Sequence, residues 1–214
     1  MNIALVMEWS TSERNEIVSG VLTKVAEKNG HSVVNYGQFN MEDHRQTYNQ
    51  NAIFTAVLLA SGAADFVVTG CGTGEGAMLA ANAMPGVICG LVTDPADSYL
   101  FTQINGGNCM SLPFAKGWGW AAEVNLEYVF EKLFVKAPGG GYPPSAAASE
   151  QRNAALLNKL KAVAVRDIRD VLAAEDPDIH DMVVNAFFGK RMELFKANCK
   201  DASILKAVED AVSR

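Results

Sequence analysis

Apolar and polar positions along this chain fall into two regimes, and the change between them comes about two thirds of the way along. Asn2 to Met7 is an apolar, branched run, as expected of a strand buried on both faces. Ser10 and Glu13 match the capping-box pattern for a helix start, and Ile17, Val18, Val21, Leu22 and Val25 recur at helical spacing up to Gly30. His31 to Tyr36 reads as a second strand, and a polar stretch fills Gly37 to Thr47. A helical pattern runs from Tyr48 to Ser61, followed by a strand at Phe66–Thr69 and a helix of small apolar residues from Glu75 to Met84. A fourth strand is expected over Val87–Val92. Asp94-Pro95 then supplies an N-cap and a first-turn proline for a helix ending near Gln103. Cys109–Leu112 and Trp118–Phe134 complete the series as a fifth strand and a fifth helix.

Strands alternating with helices predict βαβ units and a parallel sheet, here a five-stranded three-layer α/β sandwich of flavodoxin-like order. Such sheets bind ligands beyond the carboxyl ends of their strands, where the strand order reverses. In that order the crevice lies between the first and third strands and brings Glu8 and Trp9 beside Cys71. The chain therefore divides into an α/β domain over 1–136, a Gly/Pro/Ala-rich linker over 137–149 and an all-helical extension over 150–214. Leu156, Leu157, Leu160 and Val163, then Ile168, Val171 and Leu172, predict one long or broken helix. Asp176-Pro177 interrupts it, with further helices over Ile179–Lys196 and Ala202–Val212. A tail of this kind is expected to pack, to dimerise or to act as a lid.

Composition narrows the function. A net charge of -6 with no Lys/Arg run argues against a nucleic-acid partner. Apolar runs are too short for a membrane span, and Met1 leads straight into a strand pattern without a basic leader. Cys71, Cys89, Cys109 and Cys199 show neither C-x-x-C pairing nor histidines at zinc spacing. They read as free thiols in a reducing, cytoplasmic setting, with no metal site.

The chemistry concentrates in Asp65-Phe-Val-Val-Thr-Gly-Cys-Gly-Thr-Gly-Glu-Gly-Ala77, a buried strand, a turn with alternating glycines and a helix start. Gly70, Gly72, Gly74 and Gly76 free the backbone to turn N–H groups toward an anion, and the helix adds the positive end of its dipole. The turn lacks the Gly-Lys-Ser/Thr ending of a Walker A loop and the arginine of a cysteine phosphatase loop. It also follows the third strand, whereas a dinucleotide fingerprint follows the first. A plain structural turn with a buried cysteine is the bland alternative. The chemical reading is a thiol held against a small oxygen-rich ligand. It suits proton abstraction next to a carbonyl, or nucleophilic attack, although no histidine stands nearby in sequence.

Cys71-Gly72-Thr73-Gly74-Glu75-Gly76, with Ala80-Ala81-Asn82 and Gln103-x-Asn105-x-x-Asn108, resembles the type B ribose-5-phosphate and galactose-6-phosphate isomerase family. The resemblance runs from Asn2 to about Phe134 and includes Tyr48. It implies a dimer, or a higher homo-oligomer, with sites at the subunit interface and no cofactor. It also implies a sugar-phosphate substrate isomerised through a cis-enediolate. Cys71 would be the base and Thr73 would help with ring opening or hydroxyl binding. Backbone amides across Gly72, Gly74, Glu75 and Gly76 would hold the enediolate, Asn105 the sugar hydroxyls and Arg152 the phosphate.

The departures from the pattern carry information too. Glu8-Trp9 stands where relatives of this type carry Asp-His, and Ile104-Asn105-Gly106 where they carry His-Asn-Asp. Glu75 adds a charge, the first phosphate arginine has no clear match, and most of the tail is extra. Loss of the ring-opening histidine suits an open-chain substrate, for which a tetrose phosphate is one candidate, or one whose ring opens without help. Glu8 could contact hydroxyls or move protons, and Trp9 could be a platform or a space-filling plug. A non-catalytic sugar-phosphate-binding or regulatory subunit of the same fold is the alternative reading.

Overall fold

The computed structural model describes residues 1–214. Five parallel strands, β1 (Asn2–Val6), β2 (Ser32–Asn35), β3 (Phe66–Cys71), β4 (Cys89–Leu91) and β5 (Cys109–Pro113), form one sheet in the order β2-β1-β3-β5-β4. The last two strands are thus exchanged relative to the flavodoxin-like order. Burial gives the reason. Every residue of β5 up to Leu112 is buried, as a central strand requires, whereas β4 is three residues long with Gly90 and Leu91 only half-buried. Only half of the apolar run at 87–92 is therefore strand, a short edge strand flanked by loop.

Helices α1 (Asn15–Lys28), α4 (Pro95–Leu100) and α5 (Ala122–Leu133) pack together on one face, and α2 (Tyr48–Ala60) and α3 (Glu75–Ala83) on the other. Alternation along each strand feeds two cores. Ile3, Leu5, Met7, Phe66, Val68, Met110 and Leu112 face α1 and α5, while Ala4, Val6, Val67, Cys89 and Cys109 face α2.

Of the helices packed on the sheet, two are capped by side chains at their starts. Thr47 and Gln50 form a capping box at α2, and the Asp94 carboxylate accepts the Asp97 N–H at α4. The capping box expected at Ser10 and Glu13 does not form, because the Ser10 hydroxyl donates to the Glu8 carboxylate. That segment is instead a 3-10 helix over Trp9–Arg14 leading into α1. The fifth helix begins at Ala122, four residues later than expected, because Ala121 adopts a left-handed conformation just before it. The fourth ends at Leu100 and passes into a π-helical turn, Phe101–Asn105.

The tail comprises α6 (Ala147–Ala164), α7 (Ile168–Leu172), α8 (Pro177–Ala186), α9 (Lys190–Asn198) and α10 (Ala202–Val212). Ile168, Leu172, Val183, Phe187, Phe195, Ile204 and Val208 join the same apolar cluster as Val6, Phe54 and Val67. The cause lies in α2, where Asn51 through Leu58 are all buried, so α2 has two faces to cover. The sheet covers one and the tail the other. Each tail phenylalanine buried there contributes about 1.5–3 kcal/mol relative to exposure. α6 is the exception, with no buried residue and with Leu156, Leu157, Leu160 and Val163 exposed. Its Lys161 Nζ anchors it by donating to the Asn82 and Val87 carbonyls at 2.7 and 2.5 Å. No helix is long and apolar enough to cross a membrane.

Candidate active site

β3 ends at Cys71, 6% exposed, with β1 on one side and β5 on the other. Val6 pairs with Thr69, so two residues further along each strand Glu8 and Cys71 come level at the carboxyl edge. On the other side Cys71 pairs with Pro113, and its carbonyl accepts the Phe114 N–H at 2.9 Å. Helices leave β3 and its two neighbours toward opposite faces, so a crevice opens on each side of the cysteine.

The glycines divide by task. A Cβ at Gly70 would lie 2.2 Å from the Leu112 carbonyl oxygen, so glycine lets β3 approach β5. Gly74, at φ +79°, is the left-handed N-cap of α3, and its carbonyl accepts the Ser111 hydroxyl at 2.6 Å. Gly76 faces the Tyr48 ring, 3.3 Å from where a Cβ would stand. The Gly72 carbonyl accepts the Ala115 and Lys116 N–H groups at 3.0 and 2.8 Å. In contrast, the N–H groups of Gly72, Thr73 and Gly74 donate to no acceptor within the chain. Three successive free donors therefore stand directly after the thiol, at the start of a helix.

Thr73 is exposed and its hydroxyl accepts the Glu75 N–H at 3.3 Å. Glu75 is exposed and lies 3.8 Å from Lys116 Nζ. Glu8 is buried beside the cysteine strand, with Ser10 on its carboxylate. Trp9 is pinned, since its indole N–H donates to the Met41 carbonyl at 2.9 Å and the Arg45 guanidinium lies 4.8 Å from its ring centroid. One ring face is thereby occupied.

Asn105 and Arg152 are placed differently. Asn105 closes the π-helical turn before the amino end of β5, and Arg152 is exposed on α6, which packs on that turn. They lie toward the opposite edge of the sheet from Cys71, beyond the length of β5, about 13 Å at 3.3 Å per residue. One chain does not bring them to the thiol. Asn105 instead borders a cavity of about 530 Å³ with Asn82, Cys89, Leu157 and Lys161.

The other thiols and the histidines are engaged elsewhere. Cys89 and Cys109 face each other across β4 and β5, and burial pushes the Cys109 thiol well up. His31 meets the N-terminal amine at 3.0 Å, His44 meets Asn185 at 2.6 Å and stacks on Phe188, and His180 is on α8. Lys116, beside Glu75 at the cysteine turn, belongs to no motif in the sequence. Its signal was present all the same, as the first cation after the carboxyl end of a strand that is buried up to Leu112.

Comparisons with known proteins bear on these positions. The Ribose/Galactose Isomerase family profile matches residues 3–135. Among curated proteins no significant match was found. A solved 4-deoxy-L-threo-5-hexosulose-uronate ketol-isomerase, complexed with a tartrate, is 47% identical over 100% of both chains with a TM-score of 0.95. A ribose-5-phosphate isomerase from Vibrio parahaemolyticus is 45% identical over 99% of both, with a TM-score of 0.93. The type B ribose 5-phosphate isomerase of Trypanosoma cruzi is 17% identical, shares the fold at a TM-score of 0.63, and covers 76% of this chain and 99% of its own. The tail is thus shared with the first two. With the family profile matched from the first strand through the fifth helix, the chain is an isomerase that belongs to the ribose/galactose isomerase family.

Proposed function

We propose that this protein is a ketol-isomerase of an open-chain acidic sugar, most simply a 4-deoxy-hexosulose uronate, with Cys71 as the base. The observation that carries the reading is the row of free N–H groups at Gly72, Thr73 and Gly74 next to the thiol. As thiolate, Cys71 takes the proton from the hydroxyl-bearing carbon and returns it to the neighbouring carbonyl carbon. Between the two transfers the charge rests on an enediolate oxygen, where preorganised backbone donors act most strongly. The hydroxyl proton passes to the former carbonyl oxygen, with the Thr73 hydroxyl and the Glu8 carboxylate the groups available to carry it.

An open-chain substrate accounts for the departures at 8–9 and 104–106. A sugar lacking the 4-hydroxyl and carrying a ketone at C5 has neither oxygen with which an aldehyde ordinarily closes a ring. It therefore has no need of a ring-opening histidine. The anion is read from Arg152, whose single fork matches one carboxylate bidentately. A tetrose phosphate, equally unable to close a ring through its phosphorylated O4, is the second reading, favoured by the family's sugar-phosphate substrates.

Asn105 and Arg152 reach the substrate from a second copy of the chain, so the working unit is a homodimer or a larger homo-oligomer. The exposed apolar row on α6 suits that contact. Four unpaired cysteines fit work in a reducing compartment.

The test is turnover of a panel containing 4-deoxy-L-threo-5-hexosulose uronate, erythrose 4-phosphate and ribose 5-phosphate. The uronate is expected to give the highest kcat/KM, at least tenfold above ribose 5-phosphate. Equal or better turnover of ribose 5-phosphate would overturn the open-chain reading. Binding without turnover of any of them would mark a non-catalytic subunit.

A further inference from the structure

The guanidinium of Arg191, on tail helix α9, is 3% exposed and has no carboxylate partner in hydrogen-bond reach. It is held entirely by neutral acceptors. Nε donates to the Tyr36 carbonyl at 3.1 Å, Nη1 to Asn51 Oδ1 at 2.8 Å, and Nη2 to the Met7 carbonyl at 3.1 Å and the Gly37 carbonyl at 3.4 Å. Its plane also lies near the Phe54 ring, 5.1 Å from the centroid. Burying an unpaired charge is costly, so packing alone gives no reason for arginine here.

The acceptors explain the choice. Met7 is the residue before Glu8 at the carboxyl end of β1. Asn51 lies one turn along α2 from Tyr48, whose ring faces Gly76 of the cysteine turn. Tyr36 and Gly37 directly follow β2 and begin the loop that leads to Arg45 and Trp9's acceptor, Met41. One rigid fork from the tail therefore ties together three segments that line the carboxyl edge of the sheet. A lysine offers a single point of charge and cannot span the same acceptors at once.

We infer that Arg191 is a positioning residue, by which the helical tail fixes the Glu8–Trp9 turn and the start of α2 against the cysteine turn. This gives the tail beyond α6 a part in the isomerase reaction without touching substrate, and it rests on the site proposed above.

The test compares Arg191→Met and Arg191→Lys in the full-length protein, by circular-dichroism melts, by kcat and KM separately, and by Trp9 emission. The emission is read in a chain with Trp118→Phe and Trp120→Phe, so that Trp9 alone reports on the turn. For Arg191→Met that remains folded at the assay temperature, kcat is expected to fall at least tenfold with a smaller change in KM, and Trp9 emission to shift to the red. Arg191→Lys is expected to lie between it and wild type in both. A folded Arg191→Met with wild-type kcat and emission, its melting temperature alone lowered, would overturn the inference. Should Arg191→Met not fold, Arg191→Lys decides, and wild-type kcat with unshifted emission would overturn it. Cys71→Ala in the same assay separates the two claims. Undiminished activity there removes the proposed site, while the Trp9 emission still reports whether Arg191 holds the turn.

Discussion

Replacing Gly70 by alanine probes the approach of β3 to β5 that sets Cys71 in place. The added Cβ would lie 2.2 Å from the Leu112 carbonyl oxygen and 2.5 Å from the Phe114 ring. To reach even 3.0 Å, Leu112 must retreat by about 0.8 Å, yet Gly70 and Leu112 are register partners in the sheet. Phe114 is fully buried, so its ring cannot turn out to solvent. Overpacking of this kind costs about 1–3 kcal/mol, and a backbone obstacle places this case at about 3. For a chain of this size that corresponds to a fall in Tm of about 6–12 °C, read in a thermal melt. Because the Phe114 N–H holds the Cys71 carbonyl at 2.9 Å, the thiol moves with the strand. A displacement of about 1 Å can cost about a hundredfold in kcat/KM. Gly72→Ala is the control, because its Cβ would meet only the Ala115 Cβ at 3.7 Å and its φ is ordinary, so its stability should change by less than about 0.5 kcal/mol. A Gly70→Ala protein melting within about 2 °C of wild type, or a Gly72→Ala protein melting lower than Gly70→Ala, would show that the approach of β3 to β5 does not require glycine here.

Thr47→Ala removes the hydroxyl and reciprocal capping box that start α2, and should cost about 1 kcal/mol in a urea titration. His31 has its pKa lowered, by burial first and by the adjacent N-terminal charge second. The unfolded chain therefore binds the proton more readily, and this contribution to stability, full above the unfolded value near 6.5, is lost as pH falls through the folded value. His31→Gln should flatten the decline of Tm below pH 6.5, and an unchanged slope would count against it. Leu160→Glu places a charge in the exposed apolar row of α6 and should turn the proposed homo-oligomer into monomers with little activity, as seen by sedimentation. A monomeric wild type with full activity would contradict the shared site.

Much of this was legible in residues whose roles are local. The alternation of strands and helices, the glycine turn and the Asp94 cap depend on neighbours in sequence, so pattern alone placed them. The order of β4 and β5 was not legible, because βαβ units of one handedness permit either arrangement. What decides it is burial, visible in the half-exposed Gly90 and Leu91 against a β5 buried through Leu112. Ser10 illustrates competition at short range, since a hydroxyl that could cap a helix found the Glu8 carboxylate instead. Arg191 was unreadable for a different reason. Its partners Met7, Tyr36 and Asn51 lie at least 140 positions away, and nothing local marks a charge destined for burial. The apolar circumference of α2 was the available hint that the tail would return to cover it.

In the proposed reaction Cys71 moves a carbon-bound proton while the Gly72–Gly74 amides hold the enediolate. The most direct measurement is solvent deuterium incorporation by NMR during turnover of 4-deoxy-L-threo-5-hexosulose uronate, for wild type and Cys71→Ala. Deuterium is expected at the former carbonyl carbon, which receives the returned proton, with incorporation and turnover both abolished in a folded Cys71→Ala. Undiminished incorporation by Cys71→Ala, or wild-type turnover without any exchange at that carbon under conditions that detect a few per cent, would contradict it.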